Sequence, residues 1–248
     1  MIPRFALPGL AGASLCALLA ANPAQAHDVA ISSITASWLN PAPTSAATLY
    51  ASNTAHPYVR WGGSNQASQN SGYNFDAASA VIHAIVPPSP STTFTLGTFT
   101  HVNLPISGNS ITQIELQVKA YVSVDGGAAT PLSFLFDFTH DETSNNGSCP
   151  YGGANGQGVN INGCADRVTV SYNTASQSFA VGTDLYTLAI QGFAIGGVQQ
   201  TQFLTVENAT NVANLVGVVE LRSTAVPEPI SMTLLGTGLV GLGVLRRR

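Results

Sequence analysis

The sequence predicts an all-β chain, an antiparallel β-sandwich of jelly-roll-like form. Three observations carry that reading. Apolar and polar residues alternate with period two over several short runs, which puts one face of each run against a core and the other in water. Gly, Asn, Asp and Pro gather between those runs, where hairpins turn. The apolar spacing of helices is nearly absent from the body of the chain.

Taken in order, residues 94–100 read as a first clear strand. Ile114, Leu116, Val118 and Ala120 alternate with Gln113, Glu115, Gln117 and Lys119, a strand with one wet face. Asp125-Gly126-Gly127 turns the chain, and Leu132, Phe134, Phe136 and Phe138 lead back toward His140. Residues 167–172 form a further strand. A second hairpin runs over 185–195, turns at Gly196-Gly197 and returns over 198–206. Residues 214–222 close the sandwich. The Pro- and Ser-rich stretch 86–91 reads as a loop and 40–55 as a linker or irregular segment. No repeat of 20–50 residues is visible.

The 248-residue chain has 8 Lys plus Arg, 12 Asp plus Glu and a formal net charge of −4. Between residues 27 and 225 the basic residues are only Arg60, Lys119, Arg167 and Arg222, so a cationic footprint for nucleic acid is missing. The two ends stand apart. Arg4, the apolar run 5–21 and Ala24-Gln25-Ala26 have the order of a signal peptide over residues 1–26, an apolar helix removed by signal peptidase before His27. Cys16 leaves with it. Residues 27–55 then form an N-terminal extended segment and 56–225 the extracellular sandwich.

At the other end, Val226-Pro227-Glu228-Pro229 precedes the uncharged stretch 230–245 and the triplet Arg246, Arg247 and Arg248. As a single transmembrane helix, 230–245 would span about 24 Å at 1.5 Å per residue, against a hydrocarbon core of about 30 Å. Snorkelling arginines and local thinning close that gap. The arginines belong on the cytoplasmic side. The two prolines keep the preceding peptide extended, a form that a protease can grip.

The order Val-Pro-Glu-Pro, short apolar helix and Arg cluster over residues 226–248 resembles the PEP-CTERM sorting signal. That resemblance implies recognition by a membrane-embedded exosortase and cleavage near the motif. The precursor would be anchored in the inner membrane, then passed to the outer surface or released, in bacteria that make exopolysaccharide. A second resemblance lies in the body. Thr100, His101 and Asn103 within 96–106 form Thr-His-x-Asn, which is similar to the signature of the THxN family of PEP-CTERM proteins, related to choice-of-anchor extracellular domains. Arg60-Trp61-Gly62, Ser71-Gly72-Tyr73-Asn74-Phe75, His140-Asp141-Glu142-Thr143 and Ala165-Asp166 fit the same likeness, over residues 58–222. It implies an extracellular module and supplies no reaction.

Candidate chemistry is sparse. Cys149 and Cys164 form an even pair in an oxidising compartment, and a disulfide is expected. His101 and Asn103, two apart, share a strand face, where they bind a ligand or tie down a loop. Asp141, Glu142 and Asp166 are candidate oxygen donors for Ca²⁺, although no EF-hand pattern surrounds them. Trp61, Tyr73 and Tyr151 are candidate stacking platforms for sugars. His27, as a mature N-terminus, is half of a copper-chelating pair whose second His nothing marks. Gly-x-Ser-x-Gly, His-Glu-x-x-His and phosphate-loop patterns are all missing. The reading is therefore an exported, exosortase-sorted surface or matrix protein without enzymatic activity or required cofactor, associated with exopolysaccharide or biofilm. A carbohydrate-binding module is its first rival, and a secreted hydrolase or copper oxidase its second.

Overall fold

A computed structural model describes residues 25–64 and 69–223. The signal-peptide run up to residue 24 and the sorting segment 226–248 lie outside the described residues. Among the described residues no helix is long and apolar enough to cross a membrane.

The strands are β1 (His27–Ala42), β2 (Ala47–Tyr50), β3 (Tyr58–Trp61), β4 (Ser71–Ala77), β5 (Ile82–Val86), β6 (Phe94–Asn103) and β7 (Gln113–Val124). They continue with β8 (Thr130–Asp141), β9 (Asp166–Tyr172), β10 (Phe179–Val181), β11 (Asp184–Ile195), β12 (Val198–Gln200), β13 (Gln202–Thr205) and β14 (Ala209–Ser223). One sheet has the order β13-β9-β8-β7-β1-β5 and the other β10-β11-β14-β6-β4-β3-β2, with β12 also paired to β11. Every pairing is antiparallel. The all-β sandwich is thus observed, and the path changes sheet repeatedly, from β4 to β5, β5 to β6, β6 to β7 and again after β9, with β7, β8 and β9 running as a meander inside one sheet.

The central hairpin forms as its alternation dictates. Ile114, Leu116, Val118, Ala120 and Val122 are buried on β7, and Phe134, Phe136 and Phe138 face them from β8. Asp125 and Gly126 both have positive φ, 51° and 70°, as the tight turn between twisted strands requires. The core then grows by aromatic contact between the sheets. Phe99 stacks on Phe138 at 5.4 Å between centroids, Trp38 meets Phe138 edge-on at 5.3 Å, and Phe99 lies 6.0 Å from Phe203.

Two expected boundaries change. Residues 27–55 are not a segment apart from the sandwich, because β1 lies between β7 and β5 and buries Val29, Ile31, Ile34, Ala36 and Trp38. Its alternation is hidden in the sequence by a bulge. Ser33 has φ 51°, the register slips between Ser32 and Thr35, and the buried face passes from odd to even positions. The supposed linker 40–55 contains a 3₁₀ turn at Thr44–Ala46 and the edge strand β2. The expected return strand 198–206 also divides. Val198–Gln200 stays exposed against β11, while Phe203 is buried and β13 joins β9 in the other sheet. Gly192, φ +131°, makes this division fit, since a Cβ there would collide with the Gln200 carbonyl.

Cys149 and Cys164 are bridged. The bond closes a loop poor in core residues, for which the chain-entropy estimate is about 3 kcal/mol. The sandwich also has two distinct ends. Thr139 and His140 lie at the end where β6 finishes, Asn103 pairing with Ala209. His27 enters at the opposite end, beside the Gly182 turn, and Ser223 leaves there against Leu185.

The aromatic seam sets the stability of the whole. Phe138→Ala removes a fully buried ring between both sheets and should cost about 3–5 kcal/mol, whereas exposed Val198→Ala should change stability by less than about 0.5 kcal/mol. Urea denaturation of the two variants measures that contrast.

Candidate functional site

The core changes character along its strands. On β8 the buried stripe Phe134, Phe136, Phe138 continues into His140. On β6 Phe99 is followed on the same face by His101 and Asn103. From β13, Phe203 is followed by Thr205 and then, past the strand end, by Glu207, all buried. Asp166 opens β9 directly opposite Thr205. Period-two geometry thus lays a polar layer beside the aromatic one, at the end of the sandwich away from His27 and Ser223.

The pieces of this layer bond across the sheets. Tyr73 Oη lies 2.6 Å from His140 Nδ1, and His140 Nε2 lies 3.2 Å from Glu142 Oε2. Ser110 donates to the same Glu142 oxygen at 2.9 Å. His101 Nδ1 lies 2.9 Å from Thr205 Oγ1, whose own hydroxyl is directed to the Asp166 carbonyl at 3.4 Å. The imidazole must therefore donate from Nδ1, which leaves a bare lone pair on Nε2. Asp166 Oδ1 accepts from the Thr143 backbone N–H at 2.8 Å, and Thr143 Oγ1 donates to the Cys164 carbonyl at 2.8 Å. The disulfide loop is thereby tied to Asp166. Rings enclose the layer. Trp61 lies 4.8 Å from Tyr73 and 5.2 Å from His140, and the two histidines are 5.2 Å apart.

Three atoms here have no protein partner although they are buried, His101 Nε2, Asp166 Oδ2 and Asn103 Oδ1, while Asn145, Asn103 and the Asn208 N–H lie against the Glu207 carboxylate. Titration follows from that environment. Burial, with Glu142 nearby, pushes the Asp166 carboxyl from 3.8 up to about 8, while the Thr143 N–H pulls against the rise. Burial and then Glu142 also raise Glu207. Burial and then His140 hold His101 well below the ordinary histidine value, so its ring is neutral. Burial, aided by Asp166 and Glu142, raises the Tyr73 phenol well above its usual range. His101, His140 and Asp166 offer ligand atoms within 4.8 Å of one another, and Glu142, Asp166 and Glu207 do the same.

The residues singled out from sequence separate accordingly. His101 and Asn103 face the layer, and Thr100 is buried beside them. Of the candidate calcium set, Glu142 and Asp166 meet, but Asp141 points away to Arg167 at 3.0 Å and to the Tyr151 hydroxyl. Glu207 stands where Asp141 was expected. The signal for it was available, since Phe203, Thr205 and Glu207 share one face, yet the turn after it hid the strand's continuation. The sugar-stacking set fails at two of its three positions: Trp61 and Tyr73 are 1% and 0% exposed, so neither offers a ring face to a sugar. The half-buried Tyr151 has the Arg167 guanidinium 4.5 Å above its ring. His27 pairs with Asp125 at 2.7 Å and His83 with Asp28 at 2.9 Å, and neither histidine joins a group close enough to share an ion.

Comparison with protein-family models finds the PEP-CTERM protein-sorting motif over residues 225–248. That motif implies recognition by an exosortase, export and sorting to the surface. No curated protein matches the chain. The match does not reach residues 58–222, and the likeness carried there by Thr100, His101, Asn103 and the accompanying stretches is not confirmed.

The buried layer predicts a pH signature. Asp166 has a raised pKa in the folded state, so its share of stability is full below about 4 and is lost as pH rises through about 8. His101 has a depressed one, so its neutral burial costs stability only as pH falls below about 6.5. The two oppose each other between those values, and above about 6.5 the Asp166 loss is unopposed, with the raised Glu207 acting in the same direction. In the presence of chelator, stability should therefore fall between pH 6.5 and 8 by up to about 1.4 kcal/mol per pH unit. Asp166→Asn should flatten that fall in urea titrations, and a flat wild-type profile would contradict the assignment.

Proposed function

We propose that this chain is an exported, non-enzymatic surface or extracellular-matrix protein, sorted by an exosortase and serving in contact with exopolysaccharide or biofilm. The matched motif at residues 225–248 carries this reading. It follows a β-sandwich with a disulfide and a surface low in charge, a composition suited to an oxidising, extracellular setting. In this reading signal peptidase removes residues 1–26. Residues 230–245 then hold the precursor in the inner membrane, with Arg246–Arg248 inside, until exosortase acts near Pro227, Glu228 and Pro229. The sandwich contributes binding or bulk rather than turnover, since Tyr73, His140 and Glu142 are engaged with one another in the interior.

Intact-mass analysis of protein from a host with and without its exosortase tests the sorting step. The extracellular form should begin at His27 and lack the arginine triplet, and should disappear when the exosortase is deleted. Arg246–Arg248 retained on the extracellular protein would reject it.

A carbohydrate-binding reading survives at a different place. A concavity of about 560 Å³ on the outer face of β7 and β8 is lined by Asn53, Lys119, Tyr121, Leu132 and Gln177. Tyr121 is 48% exposed and offers the ring that Trp61 and Tyr73 do not. Aromatic ring and flanking amides suit a polysaccharide chain. Tyr121→Ala should weaken binding to the host's purified exopolysaccharide by about tenfold or more in isothermal titration, an expected loss of at least about 1.4 kcal/mol. Undiminished binding would remove this site.

A further inference from the structure

The buried polar layer gathers more carboxyl groups than it has cationic side chains to pair them. Glu142, Asp166 and Glu207 converge, yet Arg167, next to Asp166 in sequence, turns outward to Asp141. Buried charges persist when they are paired or bound to a metal. Two of the partnerless buried atoms of this layer are His101 Nε2 and Asp166 Oδ2, and both residues are 0% exposed. The first is a lone pair when Nδ1 donates to Thr205, and the second becomes one when the carboxyl gives up its proton to an entering ion, so both suit a cation.

We propose that His101, His140 and Asp166 form a structural site for one divalent ion of the zinc class, joining the two sheets. The choice of ion follows from the donors. Calcium takes six to eight oxygens, whereas imidazole nitrogen suits zinc and its transition-metal neighbours. Two imidazoles and one carboxylate are a donor set that zinc accepts. The surroundings are arranged as outer-shell partners of a metal site are. Thr205 fixes the His101 tautomer through Nδ1, Tyr73 meets the far nitrogen of His140, and Thr143 holds the other oxygen of Asp166. The ion takes the lone pair of His101 directly. It draws His140 Nε2 away from Glu142, which keeps its bond from Ser110. The spread of at most 4.8 Å among the ligand atoms of His101, His140 and Asp166 contracts modestly to the spacing that metal–ligand bonds of about 2.0–2.2 Å impose.

The test uses the full chain, exported by its native host and purified from the cell surface or medium without added metal. Elemental analysis should find close to one zinc-class ion per chain. Removing it with a chelator should lower Tm by about 5–10 °C, and Zn²⁺ should restore it. His101→Gln and Asp166→Asn should each reduce Zn²⁺ affinity at least about tenfold in competition with a chromophoric chelator. Thr205→Val, which touches no ion, should do so by about tenfold through the His101 tautomer and covers the case in which the ligand variants do not fold. His83→Ala, at the opposite end, should leave affinity unchanged. A metal-free wild type whose Tm ignores Zn²⁺ would overturn the proposal. So would a Tm that responds to Ca²⁺ but not Zn²⁺, or Zn²⁺ binding equally strong in all the variants.

Discussion

The removal of the Asp166 and Glu207 carboxyls from water at one end of the sandwich, with Glu142 at their rim, is the constraint around which the rest is arranged. A buried carboxylate without compensation costs several kcal/mol, so the fold must protonate it, bond it or neutralise it. Several strands that reach this end contribute to that task. β8 supplies His140, β6 supplies His101 and Asn103, β4 supplies Tyr73, and β13 supplies Thr205. The disulfide loop adds its share from outside the sheets, because Thr143 bonds both Asp166 and Cys164. A loop almost without apolar residues is thus held by its covalent bridge, by the buried Asp166 and by the buried Asn160, which bonds Tyr151, Gly153 and Ala165.

The aromatic seam and the polar layer are two halves of one device. Phe99, Phe138 and Phe203 pack the centre, and the residue two places on in each strand is His101, His140 or Thr205. Strand geometry alone holds the polar groups in register, since a slip by one residue would turn each of them outward. The rigidity of the seam therefore becomes the precision of the layer. Glu142 and Glu207 lie just beyond strand ends and are placed by the strands behind them.

The sequence made some of this legible and hid the rest for physical reasons. The β7–β8 hairpin was readable because its apolar residues alternate without interruption and its turn is Asp-Gly. β1 was not, because the bulge at Ser33 shifts the phase of its alternation midway. The pair His101 and Asn103 was readable as sharing a face, but which partners they meet depends on β9 and β13, far along the chain. Trp61 and Tyr73 were misplaced because an aromatic residue in a short strand looks the same whether it packs inward or lies open. The disulfide was legible from the cysteine count once Cys16 was assigned to the signal peptide and the remaining pair to an oxidising compartment. The terminal motif was legible from the order of unlike features, independently of any fold.

Both described ends of the domain lie at the same pole, His27 entering and Ser223 leaving far from His101 and Glu207. A body tethered through the chain beyond Ser223 is therefore mounted like a lamp on a stem. Its histidine- and carboxylate-rich tip is turned away from the support, and the loops 104–112 and 143–165 are the first parts of the domain that anything arriving from outside would touch.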